Sequence, residues 1–123
     1  MISHESTEMY LETIHVLKEE KGSVRAVDIA NRMGYSKPTI SEWMSKLSKQ
    51  GLIKPYTGRE IELTPEGEAI AAKVYERHVL LTKLLENIGV TPEIAEEDAC
   101  RIEHYISDET FEALKNHYAE YHE

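Results

Sequence analysis

Apolar positions recur at helical spacing almost from the start of the chain. Tyr10, Leu11, Ile14 and Leu17 share one stripe and predict a first helix over residues 7–21, stopped by Gly22. Val27, Ile29, Ala30 and Met33 form the apolar face of a second, short helix over residues 26–33, with Gly34 as its C-terminal stop. Ser36 then stands as an N-cap and Pro38 sits in the first turn, where its missing N–H costs nothing. Ile40, Trp43, Met44 and Leu47 supply the next buried stripe. Two helices joined through a short glycine-containing turn, the second amphipathic and basic, make the pattern of a helix-turn-helix.

Beyond Gln50-Gly51 the period changes. Residues 52–56 and 59–63 flank Thr57-Gly58, and Ile61 and Leu63 alternate with Glu60 and Glu62, which predicts a small antiparallel hairpin in the position of a wing. Thr64-Pro65 opens a long helix to about residue 87. Thr91-Pro92 repeats the same start signal for a helix to about residue 105, and Ser107-Asp108-Glu109 begins a third, to about residue 121. The fold class expected is mainly α with a small β-hairpin. A winged helix-turn-helix DNA-binding domain covers residues 1–72 and an all-helical domain covers residues 73–123, the long helix from about residue 65 being shared. The plainer alternative is a small α-rich domain without a nucleic-acid role.

Composition narrows the possibilities. At 123 residues the chain makes one compact domain or two small halves and is too short for a multi-domain enzyme. One cysteine, Cys100, forms no internal disulfide. No apolar run approaches the ~18 to 20 residues that span a bilayer. The amino terminus carries His4, Glu5 and Glu8 with no Lys or Arg, the opposite of a targeting peptide, so a cytoplasmic protein that does not enter membranes is expected.

A net charge of −9 argues at first against an anionic partner. The charge is segregated, however. Residues 1–75 hold 10 basic and 11 acidic side chains, whereas residues 76–123 hold 4 and 12. Within the first part, residues 22–59 carry seven basic side chains against Asp28 and Glu42, a local net of +5 over the helix-turn-helix.

The carboxyl half also carries the candidate chemistry. Cys100, Glu103 and His104 stand at i, i+3 and i+4 of a predicted helix and converge on one face, with Glu96 one turn earlier. Thiolate, carboxylate and imidazole together are a transition-metal donor set. Met9 and Glu12 share a face of the first helix and His78 lies midway along the long one, so three helices offer donors. The blander reading is a buried cysteine beside a surface glutamate, a core methionine and solvated histidines. His4, His15, His117 and His122 fit no ligand pattern and are expected at the surface.

These residues carry a resemblance. Thr7-Glu8-Met9-Tyr10-Leu11, the Ser36-Lys37-Pro38-Thr39-Ile40-Ser41 helix start, Leu63-Thr64-Pro65-Glu66-Gly67, Arg77-His78 and the run from Asp98 through Cys100-Arg101-Ile102-Glu103-His104 to Glu109 resemble the diphtheria toxin repressor family nearly end to end. The resemblance implies a metal-activated, homodimeric winged-helix repressor sensing Fe(II) or Mn(II), with residues 73–123 serving metal binding and dimerisation. It places Met9, Cys100, Glu103 and His104 in the regulatory metal site of the iron branch, and His78 in an ancillary site. Two positions of that ancillary site depart from the family pattern, with Thr82 where glutamate is usual and Glu96 where histidine is usual. The manganese branch has acidic residues where Met9 and Cys100 stand, while Glu12, His78, Glu103 and His104 match its paired-metal site.

Softness arbitrates between the branches. A thioether and a thiolate favour Fe(II), and in vitro also Co(II), Ni(II) or Zn(II), over the harder Mn(II), which is the second choice. For double-stranded operator DNA, Ser36, Lys37, Pro38, Thr39, Ser41 and Glu42 begin the recognition helix, and Arg25, Lys46 and Arg59 are the phosphate-contact candidates. An enzyme using Cys100 as nucleophile is the poorer reading, since no Gly-rich phosphate loop or His-Glu-x-x-His motif is present and no small organic substrate is implied. A thiol redox regulator with Cys100 as sensor is the third alternative.

Overall fold

The computed structural model describes residues 2–122, with side chains described for residues 5–121. Six helices account for most of them: α1 (Ile2–Lys21), α2 (Ala26–Met33), α3 (Lys37–Lys49), α4 (Pro65–Asn87), α5 (Pro92–Ile102) and α6 (Asp108–His122). The chain divides into two compact units, Met1–Ala72 and Lys73–Glu123, with α4 running through the division. Among the described residues no helix is long and apolar enough to cross a membrane.

In the first unit the apolar stripes meet as their spacing requires. Tyr10, Leu11, Ile14 and Leu17 of α1, Ile29 of α2, and Ile40, Met44 and Leu47 of α3 are all at most 2% exposed and share one core. The turn between α2 and α3 depends on Gly34, whose φ of 75° lies in the left-handed region while its N–H and that of Tyr35 both return to the Ala30 carbonyl. Ser36 then caps α3, its hydroxyl accepting from the Thr39 N–H at 3.4 Å.

The hairpin expected over residues 52–63 is reduced to a single antiparallel bridge between Ile53 and Leu63. The backbone hydrogen bonds explain why. The Leu52 N–H is drawn back to the Leu47 carbonyl at the end of α3, Pro55 has no N–H to give, and the Ile61 N–H bonds sideways to the Val24 carbonyl at 2.7 Å. Only the Lys54 N–H to Glu62 carbonyl and Thr64 N–H to Leu52 carbonyl bonds run across the wing. Thr64 closes its base, donating to the Gly51 carbonyl at 2.6 Å and accepting from the Gly67 N–H that opens α4.

Other boundaries shift by a few residues. α1 begins earlier than residue 7, α5 ends at Ile102 rather than near residue 105, and Ser107 caps α6 by accepting from the Thr110 N–H at 3.1 Å. In the second unit Val74 and Leu81 of α4, Ala95 and Ala99 of α5, and Phe111 of α6 are buried, together with two charged side chains, Arg77 and Glu103.

Gly67 gives a sharp test of the wing base, because a Cβ there would lie 2.0 Å from the Leu52 carbonyl oxygen, a backbone atom. Alanine is favoured over glycine inside a helix by about 1 kcal/mol, yet Gly67→Ala is expected to lower stability by about 1–3 kcal/mol through overpacking. A thermal melt showing stabilisation would contradict this close approach.

Candidate metal centre

The donor-bearing residues of the second unit sit where α5 ends. Thr91 precedes Pro92 at the first helical position, and the helix runs to Ile102. Glu103 is its C-cap, with φ −58°, ψ −23° and its N–H on the Ala99 carbonyl at 2.9 Å, so the helical path carries on past the last helical residue. Cys100, Glu103 and His104 therefore keep the convergence that i, i+3, i+4 spacing demands although the helix is shorter than expected. One donor atom from each lies within 4.8 Å of the other two.

Burial makes this cluster unusual. The Glu103 side chain is 0% exposed and that of His104 is 1% exposed, while Cys100 is a half-buried free thiol. One carboxylate oxygen of Glu103, Oε2, meets His78 Nδ1 of α4 at 2.9 Å. The other, Oε1, lies 3.4 Å from His104 Nε2 and makes no hydrogen bond among the described residues. A buried carboxylate oxygen left without a donor costs about 1–3 kcal/mol or more. The residues present fit a divalent cation on that ground, since a cation answers the unpaired oxygen. Donors sharing one ion with bonds of about 2.0–2.3 Å lie within roughly twice that length of one another, close to the span found here.

The remaining donor candidates are placed as follows. Glu96 is exposed and lines an open groove of about 560 Å³ with His78, Glu93, Glu97, Cys100 and Arg101, outside the three-donor cluster. Thr82, one turn after His78, turns its hydroxyl onto the His78 carbonyl at 2.7 Å. Met9 and Glu12 are half-buried on α1 in the first unit, where Met9 lines a cavity of about 160 Å³ with Tyr10, Met33, Tyr35 and Trp43. His15 pairs with Glu68 at 3.0 Å and His117 packs its ring 4.5 Å from that of Tyr121. The side chains of His4 and His122 lie outside the described residues.

On the first unit, Arg25, Ser36, Lys37, Pro38, Thr39, Ser41, Glu42, Lys46 and Arg59 are all exposed. Arg32 and Lys54 of the basic stretch are paired with Glu20 and Glu62, whereas Arg25, Lys37, Lys46, Lys49 and Arg59 have no carboxylate partner among the described residues. Asp28 is occupied by Lys21 at 2.9 Å and by the Arg25 N–H, contacts that hold its carboxyl below the usual carboxylate range.

Two arrangements escaped the sequence. Trp43 stacks on Tyr10 with centroids 4.8 Å apart and carries the Lys46 ammonium 4.8 Å above its ring. Burial, with the neighbouring Tyr35, pushes the Tyr10 hydroxyl up. The other is Arg77, a buried guanidinium whose signal was a basic residue falling between Val74 and Leu81 in the apolar stripe of α4.

Two family models match successive parts of the chain. The family model for "Iron dependent repressor, N-terminal DNA binding domain" matches residues 3–59, and that for "Iron dependent repressor, metal binding and dimerisation domain" matches residues 64–122. The transcriptional regulator MntR of Escherichia coli O6:H1 is 42% identical over 106 residues, 86% of this chain and 68% of MntR. The diphtheria toxin repressor of Corynebacterium efficiens is 40% identical over 106 residues, 85% of this chain and 46% of that repressor. Among solved structures, a manganese-dependent transcriptional repressor in complex with manganese superimposes with a TM-score of 0.83 at 29% identity, covering 92% of this chain and 52% of the other. The manganese regulator SloR gives 0.78 at 29% identity, covering 92% and 53%. The chain thus spans about half the length of these two structures and of the diphtheria toxin repressor.

Fold and relatives define the class as metal-dependent transcriptional regulators. The chain belongs to the diphtheria toxin repressor family of such regulators.

Glu103→Gln preserves shape and the contact to His78 while removing the buried charge. The metal-free variant is expected to keep its stability or gain on the order of 1 kcal/mol and to bind Co(II) at least about tenfold more weakly, read by denaturation and calorimetric titration. Lost stability with unchanged Co(II) affinity would make the carboxylate a purely structural group.

Proposed function

We propose that this protein is a metal-activated repressor that binds operator DNA as a homodimer through α3 and the wing, with Cys100, Glu103, His104 and His78 holding a divalent cation in the second unit. One observation carries the reading: three donors of different chemistry gather within 4.8 Å of one another, and one buried carboxylate oxygen of Glu103 has no hydrogen-bond partner among the described residues. The resemblance noted above adds Met9 and Glu12 to the ligand set. Residues 1–72 act as the DNA-binding domain and 73–123 as the metal-binding and dimerisation domain.

The favoured metal is Fe(II), because the Cys100 thiolate and the Met9 thioether are soft donors. Mn(II) is the second reading, supported by the structural neighbours described as the manganese regulator SloR and as a manganese-dependent repressor in complex with manganese. A bound cation supplies positive charge at a point where Glu103 and its neighbours concentrate negative charge. Control of DNA binding follows from a population shift. To pass from 1:99 to 99:1, the competent form must hold the ion about 5.5 kcal/mol more tightly than the incompetent one. The reading contains no chemical step, and Cys100 serves as a ligand.

At the DNA, the start of α3 presents Lys37, Thr39, Ser41 and Glu42. The Thr39 methyl and Pro38 suit thymine methyls, and the Glu42 carboxylate suits the cytosine amino group. Ser36 acts through its cap, which fixes that first turn. Arg25, Lys46 and Arg59 contact phosphate, supported by their exposure and their lack of carboxylate partners among the described residues.

Anaerobic titration of Fe(II), Mn(II) and Zn(II) into the metal-free protein, with palindromic DNA present, tests the whole reading. Fe(II) is expected to raise DNA affinity at a lower concentration than Mn(II), and Cys100→Asp to move the preference towards Mn(II). DNA affinity indifferent to every metal would overturn the reading, and a variant that loses all response would favour thiol redox sensing. Separately, Lys46→Ala and Arg59→Ala should each flatten the log-affinity against log-salt slope by about one, for any DNA sequence. An unchanged slope removes that residue from the contacts.

A further inference from the structure

Arg77 is 8% exposed, and among the described residues the hydrogen-bond acceptors of its guanidinium all lie in one short segment, residues 103–108. Its Nη1 donates to the Glu103 carbonyl at 3.2 Å and to the Ile106 carbonyl at 2.7 Å, and Nη2 donates to the Asp108 carboxylate. The first two acceptors are carbonyls at and beyond the end of α5, of the kind a helix terminus leaves without internal partners. The third belongs to the first residue of α6.

Other contacts secure the same grip. Lys73, one turn earlier on α4, reaches the same Asp108 carboxylate at 3.0 Å. Hydrogen bonding and charge from Lys73, then the charge of Arg77, hold the Asp108 carboxyl below its usual range. The Phe111 ring lies 5.4 Å from the guanidinium carbon. His78, the next residue along α4, takes the Glu103 carboxylate at 2.9 Å. Neighbouring residues of α4 therefore hold Glu103 by its main chain and by its side chain.

We infer that Arg77 is a positioning residue of the metal centre: its guanidinium fixes the turn leaving α5, so that Glu103 and His104 are aimed together before an ion arrives. The inference rests on the metal site proposed above. A planar fork holds all three acceptors at once, Nη1 on the two carbonyls and Nη2 on Asp108, whereas an ammonium offers donors from one atom only. Preorganisation of this kind raises affinity by lowering the ordering cost of binding, and loss of outer contacts to ligands typically weakens metal binding by about 10–100-fold.

The test compares Arg77→Met, Arg77→Lys and Asp108→Ala in the full chain, with Co(II) as the probe under anaerobic conditions. Both Arg77 variants are expected to bind Co(II) about 10–100-fold more weakly with altered visible d–d bands, the lysine variant less severely. In the metal-free protein their amides over residues 103–107 should exchange faster. Asp108→Ala, which cuts the link to α6 and leaves both carbonyl bonds, should lose stability while keeping Co(II) affinity near wild type. If Arg77 only ties α4 to α6, all three variants will lose stability alike and keep the wild-type spectrum, and the inference falls. Should Arg77→Met fail to fold, Arg77→Lys carries the same comparison. Absence of a thiolate-to-Co(II) band in the wild type would instead refute the metal site itself, and the positioning role with it.

Discussion

A carboxylate removed from water is the constraint on which the second unit turns. Glu103 has no exposure, and its burial is tolerable only if each oxygen is answered by a donor or a cation. His78 answers one oxygen. The other is left to whatever occupies the space towards His104 and Cys100. An apolar residue at 103 would pack there without this cost, so the acid is poor material for a core and good material for a ligand. Arg77 follows from the same constraint, because a helix that ends in order to present two consecutive donors, Glu103 and His104, leaves carbonyls that need a partner.

The first unit solves a different problem, which is to expose a basic face from a protein of net charge −9. Pairing decides which cations remain available. Glu20 and Glu62 pair with Arg32 and Lys54, while Arg25, Lys37, Lys46, Lys49 and Arg59 have no carboxylate partner among the described residues. The Trp43 ring under Lys46 limits the directions that ammonium can take, and Tyr10 limits Trp43 in turn. α1 thereby reaches the exposed side of α3 through two aromatic rings packed within one core.

What could be read from the chain follows from the range of each interaction. The six helices were legible because their stripes, Gly34, the Ser36 cap and the Pro65 and Pro92 starts are signals within a turn or two. The wing was legible as a place and not as a ladder, since the Ile61 N–H leaves for Val24, a partner 37 positions away that no local pattern announces. The convergence of Cys100, Glu103 and His104 needed only helical spacing, and it survived a helix that stopped short of it. The burial of Glu103 and the bonds from Arg77 depend on α4 packing against the end of α5, and alternation of polar and apolar residues carries no trace of such a pairing. An arginine inside an apolar stripe was the one local hint.

Charge segregation and donor softness then divide the work of recognising a cation on the reading proposed here. Glu93, Glu96 and Glu97 border the open groove beside Cys100, and an acidic concavity raises the local concentration of every divalent ion without telling them apart. Selection needs bonds that differ between ions, and carboxylates alone supply hard donors that suit manganese, magnesium and calcium. Cys100, half-buried at the groove and within reach of Glu103 and His104, adds a soft donor on which the first-row metals differ strongly, as does the Met9 thioether of the proposed ligand set. The acidity of the carboxyl half therefore sets how readily the site fills, and its sulfur donors set with what.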